Sequence, residues 1–200
     1  MLFVCTGNTC RSPMAASILQ ALIAQAGLAE RMDATSAGLF AVVGQPISRG
    51  ARESLSRRGI ATPDGGARPL LSDAAESADL ILTMSWAHKE LVIERFPTTV
   101  GRVYTLREYA YQADTQDGEA GHLRRLWADE MAARAMAGDY TRWSDPGRQR
   151  EIEEAEKRLP DLDIPDPFGS SDAVYEEAAR TIEQACKAAL ARIVREHPEL

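Results

Sequence analysis

The chain is poor in the residues that would tie it to disulfides, metals or membranes. Of its three cysteines, two, Cys5 and Cys10, share one short stretch, which excludes a disulfide scaffold. The three histidines, His88, His122 and His197, are too scattered for metal-ligand spacing, so neither a metal nor a cofactor is expected. No apolar run reaches about 18 residues and no cationic, apolar leader opens the sequence. Neither a membrane span nor a secretory signal is therefore read, and the simplest compartment is the cytoplasm. Positive charge is also in deficit: 23 Lys and Arg against 30 Asp and Glu give a formal charge of −7. That balance disfavours nucleic acid and anionic membrane as partners. What remains, 44% hydrophobic residues over 200 positions, suffices for one α/β domain, residues 1–200, with a full core.

The informative stretch is Val4-Cys5-Thr6-Gly7-Asn8-Thr9-Cys10-Arg11-Ser12-Pro13-Met14. Apolar residues up to Val4 read as a buried strand. Gly7 and Asn8 are types that tolerate positive φ, and Ser12-Pro13 reads as an N-cap with proline at the first helical position. A strand, a tight loop and a helix start aim successive backbone N–H groups of Thr6, Gly7, Asn8, Thr9 and Cys10 into one concavity, where the helix end adds partial positive charge. Such a nest suits a tetrahedral oxyanion such as phosphate. Arg11 adds a planar fork able to hold two anion oxygens. The same donors stabilise a thiolate at Cys5, and a thiolate beneath phosphorus is a phosphoryl-accepting nucleophile. Ser12 can hydrogen-bond that sulfur or simply cap the helix. Cys10 either packs under the helix or traps an oxidised Cys5 as a reversible disulfide.

Periodicity places strands at 2–5, 33–37, 79–84 and 100–106. Helices fall at 12–26, 48–58 (ended by Gly59), 86–96 (stopped by Pro97) and 172–196. Strands alternating with helices imply right-handed βαβ units: a doubly wound, four-stranded parallel sheet with helices on both faces, and ligands at the carboxyl ends of its strands. Residues 111–162 read as a helical insertion ahead of the loop that carries Asp166. Leu123, Trp127, Met131 and Ala135 keep helical spacing, and Asp145-Pro146 opens a second helix with a stripe of Ile152, Ala155 and Leu159. This segment is expected to be a lid or docking hairpin, or else a peripheral decoration.

The loop resembles that of the low-molecular-weight protein tyrosine phosphatases. So do Ser36-Ala37-Gly38, which looks like that family's turn after the second strand, the run 78–84, which looks like its third core strand, and Asp166-Pro167-Phe168, which looks like its acid loop. Thr9, His88-Lys89 and Asp166-Pro167-Phe168-Gly169-Ser170 look closest to the bacterial protein arginine phosphatases. The resemblance implies attack by Cys5 to form a cysteinyl-phosphate, Arg11 gripping the phosphoryl oxygens, and Asp166 protonating the leaving group. Asp163 is a competitor for the acid, although only Asp166 is followed by Pro-aromatic. Phe40 and Phe168 would flank the mouth, and Asn8 would hold the loop with Ser36 as partner. Gly65-Gly66 stands where many family members carry a supporting histidine. The expected substrates are phosphorylated proteins, arginine-directed because a Thr9 hydroxyl suits guanidinium N–H groups. The alternatives are a phosphotyrosine phosphatase, an arsenate reductase, which needs two further cysteines where only Cys186 remains, and a silent phosphoprotein-binding module.

Overall fold

In the computed structural model, which describes residues 1–111, 119–139, 142–158 and 162–200, one parallel sheet forms the centre. Its strands are β1 (Leu2–Cys5), β2 (Thr35–Gly38), β3 (Ile81–Thr83) and β4 (Val103–Thr105), in the spatial order β2-β1-β3-β4. β1 pairs on both sides, with Cys5 opposite Gly38 and Val4 opposite Thr83. Strand order reverses at β1, so the crevice that such sheets use for ligands opens at its carboxyl end, at Cys5. Around the sheet lie α1 (Arg11–Gln25), α2 (Arg49–Arg57), α3 (Ser72–Ser77), α4 (Trp86–Arg95), α5 (Leu106–Tyr111), α6 (Glu119–Ala137), α7 (Pro146–Arg158) and α8 (Asp172–Glu196).

All four residues of β1 are buried, and their two-residue period divides the core. Phe3 and Cys5 join Met14, Ile18, Leu19 and Ile23 of α1 and Tyr175, Ile182, Ala185, Ala189 and Ile193 of α8. Leu2 and Val4 point the other way, into a cluster with Val92, Ile93, Val103, Leu123, Trp127 and Met131. The four parallel strands and the helices on both faces agree with the architecture expected from the sequence.

Several local details differ. The first helix starts at Arg11 with Cys10 as its N-cap residue, and no side chain caps it. Ser12 is therefore not a cap; its hydroxyl serves the loop instead. Ser36-Ala37-Gly38 belongs to β2 rather than to a turn after it. The fourth strand shrinks to three residues because Pro97–Arg102 forms a 3-10 helix before it and α5 begins at Leu106. α5 opens with a reciprocal capping box: Thr105 N donates to Glu108 Oε2 at 3.0 Å and Glu108 N donates to Thr105 Oγ1 at 3.1 Å.

The segment expected to be a lid or hairpin supplies α6 and α7, whose Leu123, Trp127, Met131, Ile152 and Ala155 are buried against the α4 side of the sheet. Ala135, assigned to the apolar stripe, is exposed, while Arg134 beside it is buried on Glu130 at 2.7 Å. Leu159 lies outside the described residues. Trp127→Ala should cost about 3–5 kcal/mol, the usual loss for a large aromatic cut from a packed core. A urea-derived unfolding free energy lowered by less than about 1 kcal/mol would show the hairpin to be a dispensable decoration.

Glu90 lies where α4 faces α7. Burial, with Glu156 and Glu94 nearby, pushes its carboxyl up to about 7. Between its ordinary range and that value the folded chain binds the proton more tightly than the unfolded chain does, so stability falls as pH rises through 7. Glu90→Gln should therefore melt above the wild type at pH 8, with the gain fading below pH 7 and absent by about pH 4, below the ordinary range. Thermal melts of the two proteins across that interval check it, and a gain independent of pH would contradict it.

Candidate active site

The loop after β1 is shaped by Asn8. This residue, not Gly7, adopts the left-handed turn, with φ 55°. Its side chain is buried and fully committed. Nδ2 donates to Ser36 Oγ at 2.8 Å and Ser12 Oγ at 3.0 Å, and Oδ1 accepts from the backbone N–H of Arg68 at 2.9 Å. Support for the loop, in doubt at Gly65-Gly66, thus comes from the main chain that follows those glycines. Gly66, at φ 69°, lets that chain close on Gly44, where a Cβ would fall 2.6 Å from the carbonyl oxygen. Gly38 permits the matching approach from β2, since a Cβ there would lie 2.8 Å from Asn8 N and 2.9 Å from Thr6 O.

A cavity of about 220 Å³ opens over this loop. Cys5, Thr6, Gly7, Thr9, Cys10 and Arg11 line it from below, and Gln45, Asp166 and Phe168 line its sides. Cys5 Sγ lies 3.0 Å from Ser12 Oγ, whose hydroxyl is also 3.3 Å from the carbonyl of Ala37. A thiolate is the stronger acceptor of that one proton. Arg11 is buried and spans the site. Nη1 donates to Ile164 O at 3.0 Å, and Nη2 meets Asp166 Oδ2 at 2.5 Å. The Asp166 carboxyl is otherwise half-exposed, with Oδ1 accepting from Phe168 N at 3.2 Å. Arg11 therefore ties the loop that holds the sulfur to the loop that holds the carboxyl.

Asp163 faces elsewhere: its Oδ1 accepts from Trp86 N at 2.7 Å and its carbonyl from Arg107 Nη1 at 3.2 Å. Phe40 is not part of the cavity wall. Its exposed ring lies under the Arg95 guanidinium, 4.6 Å away, and Arg95 is fixed by Leu39 O at 2.8 Å. The aromatic at the mouth is Phe168, which is largely exposed. Thr9 is buried, with Oγ1 3.8 Å from Cys10 Sγ. Cys10 donates to Ser48 Oγ at 3.1 Å and lies 3.6 Å from Tyr175 OH, so its thiol packs under the loop as a free cysteine. Cys186 is far from the cavity in the α8 core, and burial pushes its thiol up. No group of side chains with metal-ligating potential occurs among the described residues. No helix among them is long and apolar enough to cross a membrane, and the described part of residues 111–162 contributes nothing to the lining of this cavity.

Two parts of the site were not assigned to it from the sequence: Gln45, and His88, which was read only as a mark of the arginine-directed branch. Gln45 carries no motif. His88 does: Ser85 caps α4 and His88 stands at its third helical position. That ring reaches the loop, with Nε2 2.8 Å from Thr6 Oγ1. Burial, and then the Arg11 charge, push His88 down to about 4, so the ring is neutral at ordinary pH. Next to it, Lys89 is buried on both carboxylate oxygens of Glu108, at 2.9 and 3.0 Å, and stacks 4.3 Å from the Trp86 ring. The first turn of α4 is thereby pinned to α5.

Comparison with known proteins agrees with this geometry. The family model of the low molecular weight phosphotyrosine protein phosphatases matches residues 1–121. The protein-arginine-phosphatase of Bacillus subtilis is 38% identical over 109 residues, which are 54% of this chain and 71% of that one. The low molecular weight protein-tyrosine-phosphatase PtpB of Staphylococcus epidermidis is 39% identical over 117 residues, or 58% and 76%. Among solved structures, the YwlE arginine phosphatase from Geobacillus stearothermophilus superposes with a TM-score of 0.66 at 26% identity, covering 99% of this chain and 94% of that one. Fold, loop and sequence agree: the chain belongs to the low molecular weight phosphotyrosine protein phosphatase family.

Proposed function

We propose that this phosphatase removes phosphate from phosphorylated arginine on proteins, in the cytoplasm, through a cysteinyl-phosphate on Cys5. The observation that carries the reading is the convergence of Cys5, Arg11 and Asp166 on one small cavity. The thiolate attacks phosphorus in line, while the amides of residues 6–10 and the Arg11 fork stabilise the equatorial oxygens. Taking up a phosphoryl group draws Arg11 Nη2 from Asp166; the freed carboxylate takes a proton from solvent and delivers it to the departing nitrogen or oxygen. The resulting carboxylate removes a proton from the water that hydrolyses the S–P bond. Ser12, 3.0 Å from the sulfur, eases that second step by hydrogen-bonding the leaving thiolate. No cofactor enters. Residues 111–162 are read as a helical insertion within the single phosphatase domain.

Arginine preference rests on Thr9. The guanidinium of phosphoarginine is polar where phosphotyrosine presents an apolar ring edge, and a hydroxyl in the cavity wall meets its N–H groups. Protonation of the bridging nitrogen by Asp166 suits the P–N bond. Phosphotyrosine is the second reading. The tyrosine-directed relative matches as well as the arginine-directed one, and the Phe168 ring at the mouth would stack on a phenol.

Cys5→Ser should leave the fold intact and reduce turnover to below about one per cent of wild type, because a serine hydroxyl is not ionised near neutral pH. Activity above that level would remove Cys5 as nucleophile. Asp166→Asn should slow poor leaving groups far more than activated aryl phosphates. If Asp163→Asn gives that leaving-group dependence instead, the acid assignment is wrong.

Wild-type kcat/KM should be higher for phosphoarginine than for phosphotyrosine, and Thr9→Ile should shift the ratio toward tyrosine by roughly tenfold or more. A wild type that prefers phosphotyrosine, or a variant that scales both substrates equally, would place the enzyme with the tyrosine-directed relatives.

A further inference from the structure

Thr6 follows the nucleophile, is solvent-exposed and lines the cavity, yet neither attack, anion grip nor proton donation uses its hydroxyl. The structure nonetheless devotes a buried imidazole to it. His88 Nε2 lies 2.8 Å from Thr6 Oγ1, and Nδ1 lies 2.8 Å from Ser85 Oγ. That serine also accepts from the His88 backbone N–H at 3.3 Å, as the cap of α4. His88 and Ser85 are 7% and 8% exposed, so both ring nitrogens need protein partners, and these two hydroxyls are the partners they have.

The bonding arithmetic at Thr6 is independent of tautomer. If Nε2 accepts, the Thr6 proton goes to the ring and both lone pairs remain. If Nε2–H donates, one lone pair is taken and one remains. In either case Thr6 Oγ1 keeps an acceptor site for a group in the cavity, and the imidazole fixes its rotamer. A guanidinium offers only donors, on more than one nitrogen, whereas a phenyl ring offers none. We propose that Thr6, held by His88, accepts a hydrogen bond from a substrate guanidinium N–H, making Thr6 a specificity residue and His88 its positioning residue. This rests on the arginine-directed reading above and adds a second acceptor beside Thr9 on the same wall.

An imidazole suits the task because a lysine or arginine at position 88 would hold a cation beside a cationic substrate group. Burial keeps His88 neutral. The charge nearest to it in sequence, Lys89, is neutralised by Glu108, and Trp86 N–H is held by Asp163, so the turn that carries the ring is rigid.

The test compares kcat/KM for phosphoarginine and phosphotyrosine in wild type, Thr6→Val, His88→Leu and His88→Gln. Because a hydrogen bond to a charged group is lost, Thr6→Val should lower the arginine-to-tyrosine ratio by about tenfold or more. His88→Leu should lower it in the same direction, and His88→Gln, whose amide can again meet Thr6, should recover most of it. An unchanged ratio in Thr6→Val, with both substrates falling together, would overturn the proposal and reduce the pair to loop support. Should His88→Leu not fold, Thr6→Val and His88→Gln still decide, since Thr6 is exposed and glutamine keeps the polar contact. The wild-type ratio tests the arginine reading and its change on Thr6→Val tests this one, so the two can fail separately.

Discussion

An anion cradle made of backbone amides cannot use those amides to hold its own shape, and in this protein the side chain of Asn8 does so. It occupies the left-handed turn at φ 55° and meets β2 through Ser36, α1 through Ser12 and the segment after Gly66 through the Arg68 N–H. Each bond is worth about 1 kcal/mol net. Together they fix where the amides point, where Cys5 sits and how Ser12 meets its sulfur. Gly38 serves the same purpose, since a side chain there would meet Asn8 N and push β2 from the loop, and Gly66 lets the segment that carries Arg68 close on Gly44. A loop held this way needs no reorganisation when charge develops at phosphorus, which is the condition for strong electrostatic catalysis.

The second organising element is the first turn of α4. His88 reaches the catalytic loop, the Trp86 N–H meets Asp163 ahead of the acid loop, and Lys89 is buried on Glu108. Ile164 N also donates to Met84 O at 2.8 Å, and Arg11 returns to Ile164 O. The sulfur-bearing loop and the carboxyl-bearing loop are thus braced from one side by the same few residues. The Trp86 indole donates to Glu156 of α7 at 2.7 Å, so the helical hairpin leans on this turn rather than on the cavity.

Much of this was legible because it is local. A buried strand, a glycine-asparagine turn and a helix start within a dozen residues specify the nest before any tertiary contact forms, and alternating strands and helices specify the sheet. α5 was not read, although Thr105-Leu106-Arg107-Glu108 is a capping box, because the apolar run into Leu106 suggested a longer strand. The Thr6–His88 contact joins residues 82 positions apart, and no spacing rule finds it. Phe40 was misplaced because its partner, Arg95, lies far along the chain on α4. Helical periodicity in residues 119–137 gave a helix but not its destination. The stripe of Leu123, Trp127 and Met131 fits a lid and a core equally well, and only the fold shows it buried against Val92, Ile93 and Val103.

The account stands on Cys5 carrying the phosphoryl group during turnover. Rapid acid quench of the enzyme with phosphoarginine, followed by peptide mass spectrometry and phosphorus NMR, reads that directly. The expected result is a transient phosphate on the peptide containing Cys5, with the shift of an S–P bond, forming and decaying at rates compatible with turnover. Release of phosphate with no labelled Cys5, or with the phosphoryl group on another side chain, would contradict the account.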